Sequence, residues 1–194
     1  MAEEKKAEAQ KAQEKKEAGS KASDNSQNPM RTVRISKLTL HIGAGTDHAM
    51  MDKGVELLEM ITGIAPVKTR AVKRIPTWGL RPGLPIGCKI TLRGKKASEV
   101  LERLLKARDD LLPESCFDNN GNISFGIKEY IDIPGVEYNQ KIGIIGLQVS
   151  VTLERPGYRI QRRHLRTRKI HHNHKVTKED AISFARESLK IQVE

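Results

Sequence analysis

The chain has 194 residues, of which 37% are hydrophobic, and its 35 Lys and Arg against 24 Asp and Glu give a formal net charge of +11. This length suits one domain with tails. No apolar stretch approaches the roughly 20 residues of a membrane-spanning helix, and charge begins at Glu3, so we expect neither a membrane span nor a signal peptide. Cys88 and Cys116 make no disulfide or metal framework, and we expect a reducing, cytosolic setting.

The positive charge is concentrated in two segments. Residues 60–98 contain nine Lys or Arg and no Asp or Glu, and residues 155–178 again contain nine and none. Protein surfaces normally mix the two signs, so such segments indicate contacts with phosphate groups more than ordinary solvation. Charge does not distinguish RNA from DNA, so a DNA-binding architectural protein stays open beside an RNA-binding protein.

The chain divides into a tail and a domain. Residues 1–28 are charged and small side chains without a hydrophobic face, which predicts a disordered, charged N-terminal tail. Residues 29–190 are predicted to form a single domain. This domain includes a basic loop at 72–85 and a basic segment at 155–178.

The domain is predicted to begin with a strand and a helix. Apolar residues alternate over 33–42 with a change of phase at Ser36-Lys37, which predicts a strand of about ten residues with a bulge. A helix capped by Thr46 or Asp47 should follow and reach about Thr62, because apolar residues recur there at helical spacing.

A long basic loop separates two further predicted strands, Ala65–Val72 and Ile86–Arg93. The loop is rich in Pro and Gly, which excludes a helix interior or a central strand, and it holds the only Trp of the chain. After it, a helix is predicted to run to about Leu112, where Pro113 would end it.

The last third of the chain predicts a mostly β region and a final helix. Asn120-Gly121 indicates a hairpin turn, Glu129–Glu137 an acidic surface arm, and the alternation over Gly146–Leu153 a strand at or near the centre of a sheet. Thr177 begins a capping-box pattern before a helix to about Lys190, in which Ile182, Phe184 or Ala185, and Leu189 are expected to be buried. We therefore predict an α+β fold: a mostly antiparallel (mixed) sheet of about five strands, helices packed on one face, and the other face open.

Candidates for catalysis or metal binding are few. Cys88 lies among apolar residues of a predicted strand and is expected to be a buried structural cysteine. His171, His172 and His174 are the one metal-like cluster, but no Cys or acidic residue lies close to them in sequence. We expect no catalytic residue, no metal site and no cofactor. An enzyme that uses Cys88 or the histidines stays as an alternative.

Several segments together resemble a known family. They are Thr39–Gly45, Leu57–Gly63, Lys68–Arg74, Arg81–Gly94, Phe125–Glu129 and Gly143–Leu153, and the most specific is Pro-Ile-Gly-Cys-Lys-Ile-Thr-Leu-Arg-Gly at 85–94. They resemble the universal ribosomal protein family that is numbered five in the bacterial large subunit and eleven in eukaryotes, over about residues 29–190. Arg155–Tyr158 followed by a last helix is similar to the archaeal and eukaryotic branch.

The resemblance implies a structural constituent of the large ribosomal subunit in the cytoplasm. It implies that the chain binds 5S rRNA and attaches it to the large-subunit rRNA in the central protuberance, through the open face of the sheet and basic residues around it. The implied rRNA-binding residues are Lys37, His41, Thr91, Arg93, Lys95, Arg159, Arg162, Arg163, Arg166 and Arg168. The sequence departs from the bacterial pattern at His41, where Asn is usual, and at Ile64, where Gln is usual.

The resemblance also implies two partners beyond the rRNA. One is peptidyl-site tRNA, which the loop 72–84 would contact through Lys73, Arg74, Thr77, Trp78 and Arg81. The other is a small-subunit ribosomal protein of the family numbered thirteen, which would form a subunit bridge with Glu129, Asp132 and Glu137. An acidic arm suits a cationic protein partner better than it suits RNA.

Overall fold

The computed structural model describes residues 28–193, so the predicted tail lies outside the described residues except for Asn28. The described chain groups into two compact units. One unit is Arg34–Glu154 with the chain from Val176 onward, and the other is residues 28–33 with Arg155–Lys175. The boundaries of the single predicted domain stay a prediction.

The first unit contains one five-stranded antiparallel sheet with the strand order β2-β3-β1-β6-β5. In chain order the strands are β1 Arg34–Gly43, β2 Val67–Arg70, β3 Pro85–Leu92, β4 Leu111–Leu112, β5 Asn122–Ile127, β6 Leu147–Glu154 and β7 Gln192–Val193. β4 and β7 form a separate parallel pair. The predicted fold class is confirmed, including the near-central place of the strand at 146–153.

The described residues include four helices: α1 His48–Thr62, α2 Lys95–Lys106, α3 Arg159–Arg162 and α4 Lys178–Ser188. Asp47 caps α1 because its Oδ1 accepts hydrogen bonds from the backbone N of Ala49 and Met50, and Gly63 ends the helix at a φ of 67°. Both predicted ends of this helix are thus confirmed. α1 and α2 both pack against β1, and α1 also packs against β3.

The core lies between these helices and one face of the sheet. Leu38, Leu40 and Ile42 of β1 are buried, and the bulge predicted at 36–37 appears as a register shift between Ile35 and Lys37 in the pairing of β1 with β6. α2 contributes an apolar stripe of five buried residues: Ala97, Val100, Leu101, Leu104 and Leu105. Each fully buried Leu contributes about 1.5–3 kcal/mol relative to an exposed one.

The prediction that the helix after β3 reaches Leu112 is wrong, because α2 ends at Lys106. Asp109 and Asp110 follow with φ of 54° and 55°, a left-handed conformation that Asp tolerates better than most residues. This turn directs Leu111–Leu112 into β4, and the N of Gln192 donates to the O of Asp110 at 2.9 Å. The two carboxylates are therefore on a turn and not on a helix.

The last helix has the predicted capping box, and its buried face agrees with the prediction in part. The hydroxyl of Thr177 accepts from the N of Asp180 at 3.3 Å, while the Asp180 carboxylate accepts from the N of Thr177 at 3.0 Å. Ala181 and Ala185 are buried, which confirms Ala185 as one of the predicted buried residues, whereas Ile182, Phe184 and Leu189 are half-buried. Small residues let α4 approach the rest of the unit closely.

Candidate nucleic-acid interface

The sheet has one apolar and one polar face. Successive strand residues point to opposite sides, so Lys37, Thr39 and His41 of β1 lie opposite the buried Leu38, Leu40 and Ile42. The polar face, as we use the term, comprises eleven residues of β3, β1, β6 and β5, all exposed or half-buried. They are Lys37, Thr39, His41, Lys89, Thr91, Asn122, Ser124, Gly126, Gln148, Ser150 and Thr152.

Cross-strand pairing arranges the polar face in three rows. The central row is formed by four hydroxyl residues on four neighbouring strands: Thr91, Thr39, Ser150 and Ser124. One outer row is Lys89, His41, Gln148 and Gly126. The other outer row is Lys37, Thr152 and Asn122. Short polar side chains in the centre thus lie between two rows that each carry a lysine.

No residue of the polar face is a carboxylate. The acidic group at its border is Glu154, which pairs in register with Arg34 at the end of β6. A surface with ammonium groups and no carboxylate attracts polyanions. The short Ser and Thr side chains on four strands also leave room above the sheet for a large, regular ligand.

The structure places the predicted residues Lys37, His41 and Thr91 together on the polar face. Arg93 follows the end of β3 and is exposed, and the register of β1 with β3 brings it to the Lys37 end of the face. Lys95 is exposed at the start of α2. Their contact with RNA stays a prediction.

Sequence reasoning missed the hydroxyl and amide residues of β5 and β6 on this face: Asn122, Ser124, Gln148, Ser150 and Thr152. The alternation of β6 indicated that its polar residues Gln148, Ser150 and Thr152 share one face, but not that this face continues that of Lys37 and Thr91. That continuity depends on pairing between strands more than 100 residues apart in sequence. A signal in the local pattern could not have supplied it.

The basic loop is an extension of the β2–β3 hairpin with a closed tip. The N of Ala71 donates to the O of Leu84 at 2.8 Å, which prolongs the pairing beyond β2. Nearer the tip, Ile75 and Leu80 exchange two backbone hydrogen bonds of 3.0 Å. The tip is therefore held by backbone bonds and does not depend on a partner for its shape.

The loop presents cations and one aromatic side chain. Trp78 ends a short 3-10 turn that begins at Pro76, and it is 68% exposed. The other predicted tRNA-contacting residues are exposed as well: Lys73, Arg74, Thr77 and Arg81. Lys68, at the base of the loop, is different because its Nζ lies 2.8 Å from Asp52 Oδ1, and this pair lowers the pKa of the Asp52 carboxyl.

The basic segment in the second unit folds back on itself. The Nε of Arg163 donates to the O of Arg166 at 3.0 Å, and the hydroxyl of Thr167 donates to the O of Arg163 at 2.6 Å. The five arginines predicted here are all exposed: Arg159, Arg162, Arg163, Arg166 and Arg168. Local hydrogen bonds thus order a segment whose charged side chains stay at the surface.

The acidic arm is anchored by buried side chains. Tyr130 and Ile133 are buried, and the Tyr130 hydroxyl accepts a hydrogen bond from the N of Asn139 at 2.9 Å. The carboxylates of Glu129, Asp132 and Glu137 are exposed. The predicted surface arm is therefore fixed in place by its buried residues, and its three carboxylates face water.

The alternative of an enzyme finds no support in the cysteines or the histidines. Cys88 is 0% exposed, and burial raises the pKa of its thiol to about 11, which keeps it protonated and unreactive. Cys116 is half-buried. His174 Nε2–H donates to the O of Pro156 at 2.8 Å. Over residues 28–193 no three His, Cys, Asp or Glu side chains converge to hold a metal ion.

No helix among residues 28–193 combines the length and the apolar character needed to cross a membrane.

Comparison with known sequences gives two family matches that follow one another along the chain. The profile described as ribosomal protein L5 matches residues 28–81, and the profile described as the C-terminus of that same ribosomal protein family matches residues 85–184. Together they span the sheet, the basic loop, the acidic arm and the basic segment.

Curated relatives extend over almost the same range. A protein of Nanoarchaeum equitans named large ribosomal subunit protein uL5 is 49% identical and covers 86% of this chain and 99% of its own length. Proteins of the same name from Sulfurisphaera tokodaii and Methanobrevibacter smithii are 43% and 42% identical, cover 86% and 84% of this chain, and match over 94% and 96% of their own lengths. These archaeal relatives agree with the branch that the basic segment predicted. The chain belongs to the ribosomal protein L5 family, whose members are structural ribosomal proteins and not enzymes.

Proposed function

We propose that this chain binds 5S rRNA and attaches it to the large-subunit rRNA in the central protuberance. Its family membership makes it a structural constituent of the large subunit of the cytoplasmic ribosome. The observation that carries the proposal is the polar face. It is a four-strand surface without carboxylates, with Lys37 and Lys89 in its two outer rows and Arg93 at its border.

The chemistry of the polar face favours folded RNA as its ligand. Its central positions are hydroxyls, and it contains no Phe, Tyr or Trp and only one imidazole, that of His41, so it is not an extended surface for stacking splayed bases. Double-helical RNA is recognised mainly by shape and by contacts to its riboses and phosphates. A surface of short hydroxyl side chains edged with cations fits this mode of binding.

The basic segment supplies a second set of phosphate contacts. Its five exposed arginines offer planar, bidentate donors that suit phosphate oxygens. We assign them to rRNA, and two binding surfaces in one chain would allow 5S rRNA and large-subunit rRNA to be held at once.

The basic loop is assigned to peptidyl-site tRNA. A self-supporting tip with an exposed Trp78 can stack on a nucleobase or ribose, and the four exposed polar or cationic neighbours can reach phosphates. Because backbone hydrogen bonds already order the tip, binding requires little additional ordering.

The acidic arm is assigned to a basic protein of the small subunit, of the family numbered thirteen. Glu129, Asp132 and Glu137 are exposed on an arm that Tyr130 fixes, so three carboxylates are held where a cationic partner can meet them. Carboxylates would repel RNA at the same place.

Filter binding of the full chain tests the rRNA assignment. The ligands are 5S rRNA, an unrelated RNA of the same length and duplex DNA, each measured across a series of salt concentrations. We expect 5S rRNA to bind at least about tenfold more tightly than the other two at about 0.15 M salt, and all three affinities to fall as salt rises. Equal affinities for the three ligands at matched salt would contradict the proposal and favour a general polyanion binder.

A further inference from the structure

We propose that the central row of the polar face contacts the 2′-hydroxyl groups of double-helical RNA, laid with its minor groove against the sheet. The residues are Thr91, Thr39, Ser150 and Ser124. This proposal rests on the assignment of the polar face to 5S rRNA. It adds which part of the RNA the centre of the face recognises and why DNA would be rejected there.

The row has the chemistry to recognise another hydroxyl. Each Ser or Thr hydroxyl donates one hydrogen bond and accepts others, as a ribose 2′-hydroxyl does. The four residues occupy neighbouring strands about 4.8 Å apart, so the row extends over roughly 14 Å. Ser124 Oγ and Ser150 Oγ are 3.3 Å apart and form a hydrogen bond, which orients one end of the row. Both residues are exposed.

The flanking rows match the edges of a minor groove. Lys37 and Lys89 occupy β1 and β3, on opposite sides of the central row. Residues two apart along a strand are about 7 Å apart, so the two outer rows lie roughly 14 Å from each other. The minor groove of A-form RNA is wide and shallow, displays 2′-hydroxyls in its middle and is bordered by phosphates on both sides. Hydroxyls would thus meet hydroxyls, and ammonium groups would meet phosphates.

The short side chains of the central row are incompatible with binding through the major groove or with binding of DNA in the same way. The major groove of A-form RNA is deep and narrow, and Ser or Thr could not reach the bases in it. In duplex DNA the 2′-hydroxyls are absent, so the central row would lose its hydrogen bonds and its hydroxyls would be covered without partners. Discrimination of RNA from DNA is therefore expected to reside in this row, whereas the lysines contribute to both.

Two forms of 5S rRNA test the proposal with the full, unmodified chain. One has ordinary ribose, and the other has 2′-fluoro ribose at every nucleotide, in which fluorine preserves the A-form sugar conformation but cannot donate a hydrogen bond. We expect at least about tenfold weaker binding of the fluoro form, since two or more hydrogen bonds are lost. Equal binding of the two forms would overturn the proposal while leaving the assignment to 5S rRNA intact. No binding to ordinary 5S rRNA would overturn both.

Paired variants locate the effect in the central row. Thr39→Val and Ser150→Ala each remove a hydroxyl with little change in volume. The matched controls are Thr46→Val and Ser115→Ala, at exposed positions outside the polar face. Each row variant should weaken binding to ordinary 5S rRNA about fivefold and change binding to the fluoro form by less than about twofold. The controls should change neither. Equal losses on both RNAs, or no loss on either, would contradict a contact with 2′-hydroxyls.

Discussion

Gly121 and Gly143 have similar backbone conformations but different surroundings. Their φ values are 73° and 75°, in the left-handed region that costs an L residue about 1–2 kcal/mol. A Cβ at residue 121 would lie 2.5 Å from Cγ1 of Val176, whereas a Cβ at residue 143 would meet nothing within 4 Å. The first glycine is thus needed for both conformation and space, and the second for conformation alone.

Substitution of these two glycines by alanine is predicted to cause different losses of stability. Gly143→Ala should reduce the free energy of unfolding by about 1 kcal/mol, and Gly121→Ala by roughly 2–5 kcal/mol, because overpacking adds to the strain. Urea denaturation of both variants measures the difference. Equal losses in the two single variants would show that the close approach of Val176 is unimportant.

The burial of Cys88 predicts that its thiol is unreactive in the folded protein. It is buried, and its pKa is raised to about 11, so almost no thiolate exists at pH 8. In a Cys116→Ser variant, which leaves Cys88 as the sole cysteine, labelling by a disulfide reagent should be at least about 100-fold slower than in denaturant. Rapid labelling without denaturant would contradict its burial and reopen the alternative of a reactive cysteine.

At the scale of elements, local patterns predicted the existence and order of the main helices and strands. Caps and alternation located α1 and β6 because their signals lie within a few residues. The end of α2 was missed because no Gly or Pro marks it: two Asp residues turn the chain, and pairing of β4 with the distant β7 stabilises that turn. The burial of Ala181 in α4 was also missed, since a small Ala gives a weaker apolar signal than Ile, Phe and Leu.

The closed tip of the basic loop predicts a local role for Trp78. Trp78→Ala should weaken binding of tRNA at the peptidyl site of assembled ribosomes about tenfold, which corresponds to the loss of one stacking contact, and Trp78→Phe should retain most of it. The free energy of unfolding should stay within about 0.5 kcal/mol because the side chain is exposed. Unchanged tRNA affinity in the Trp78→Ala variant would contradict the assignment of the loop to peptidyl-site tRNA.

The acidic arm predicts an effect on subunit joining that is separate from rRNA binding. Reversing Glu129, Asp132 and Glu137 to Lys should weaken association of the two subunits but leave 5S rRNA affinity unchanged. The control reverses three exposed carboxylates elsewhere, Glu56, Glu102 and Glu187, and changes the net charge equally. Sucrose-gradient profiles of reassociated subunits measure joining. If subunits that contain the arm variant associate as well as wild-type subunits do, a subunit bridge through the acidic arm would be excluded.

At the scale of the whole molecule, composition and charge distribution predicted a binder of nucleic acid, and the family resemblance made it a ribosomal protein. What the sequence could not supply is how the strands combine their polar residues. Lys37, Lys89 and Ser150 lie far apart in the chain, and only the register of β3, β1 and β6 places them on one face. The candidate site is thus a property of topology more than of any motif.

The most direct test of the polar face compares two double charge reversals in 5S rRNA binding at about 0.15 M salt. Lys37→Glu with Lys89→Glu alters the polar face, and Lys53→Glu with Lys141→Glu makes the same change in net charge at exposed positions outside it. We predict a loss of at least about 100-fold for the first variant and of less than about fivefold for the second, with both variants folded. Equal losses would show that binding depends on overall charge alone and would contradict the polar face as the site for 5S rRNA.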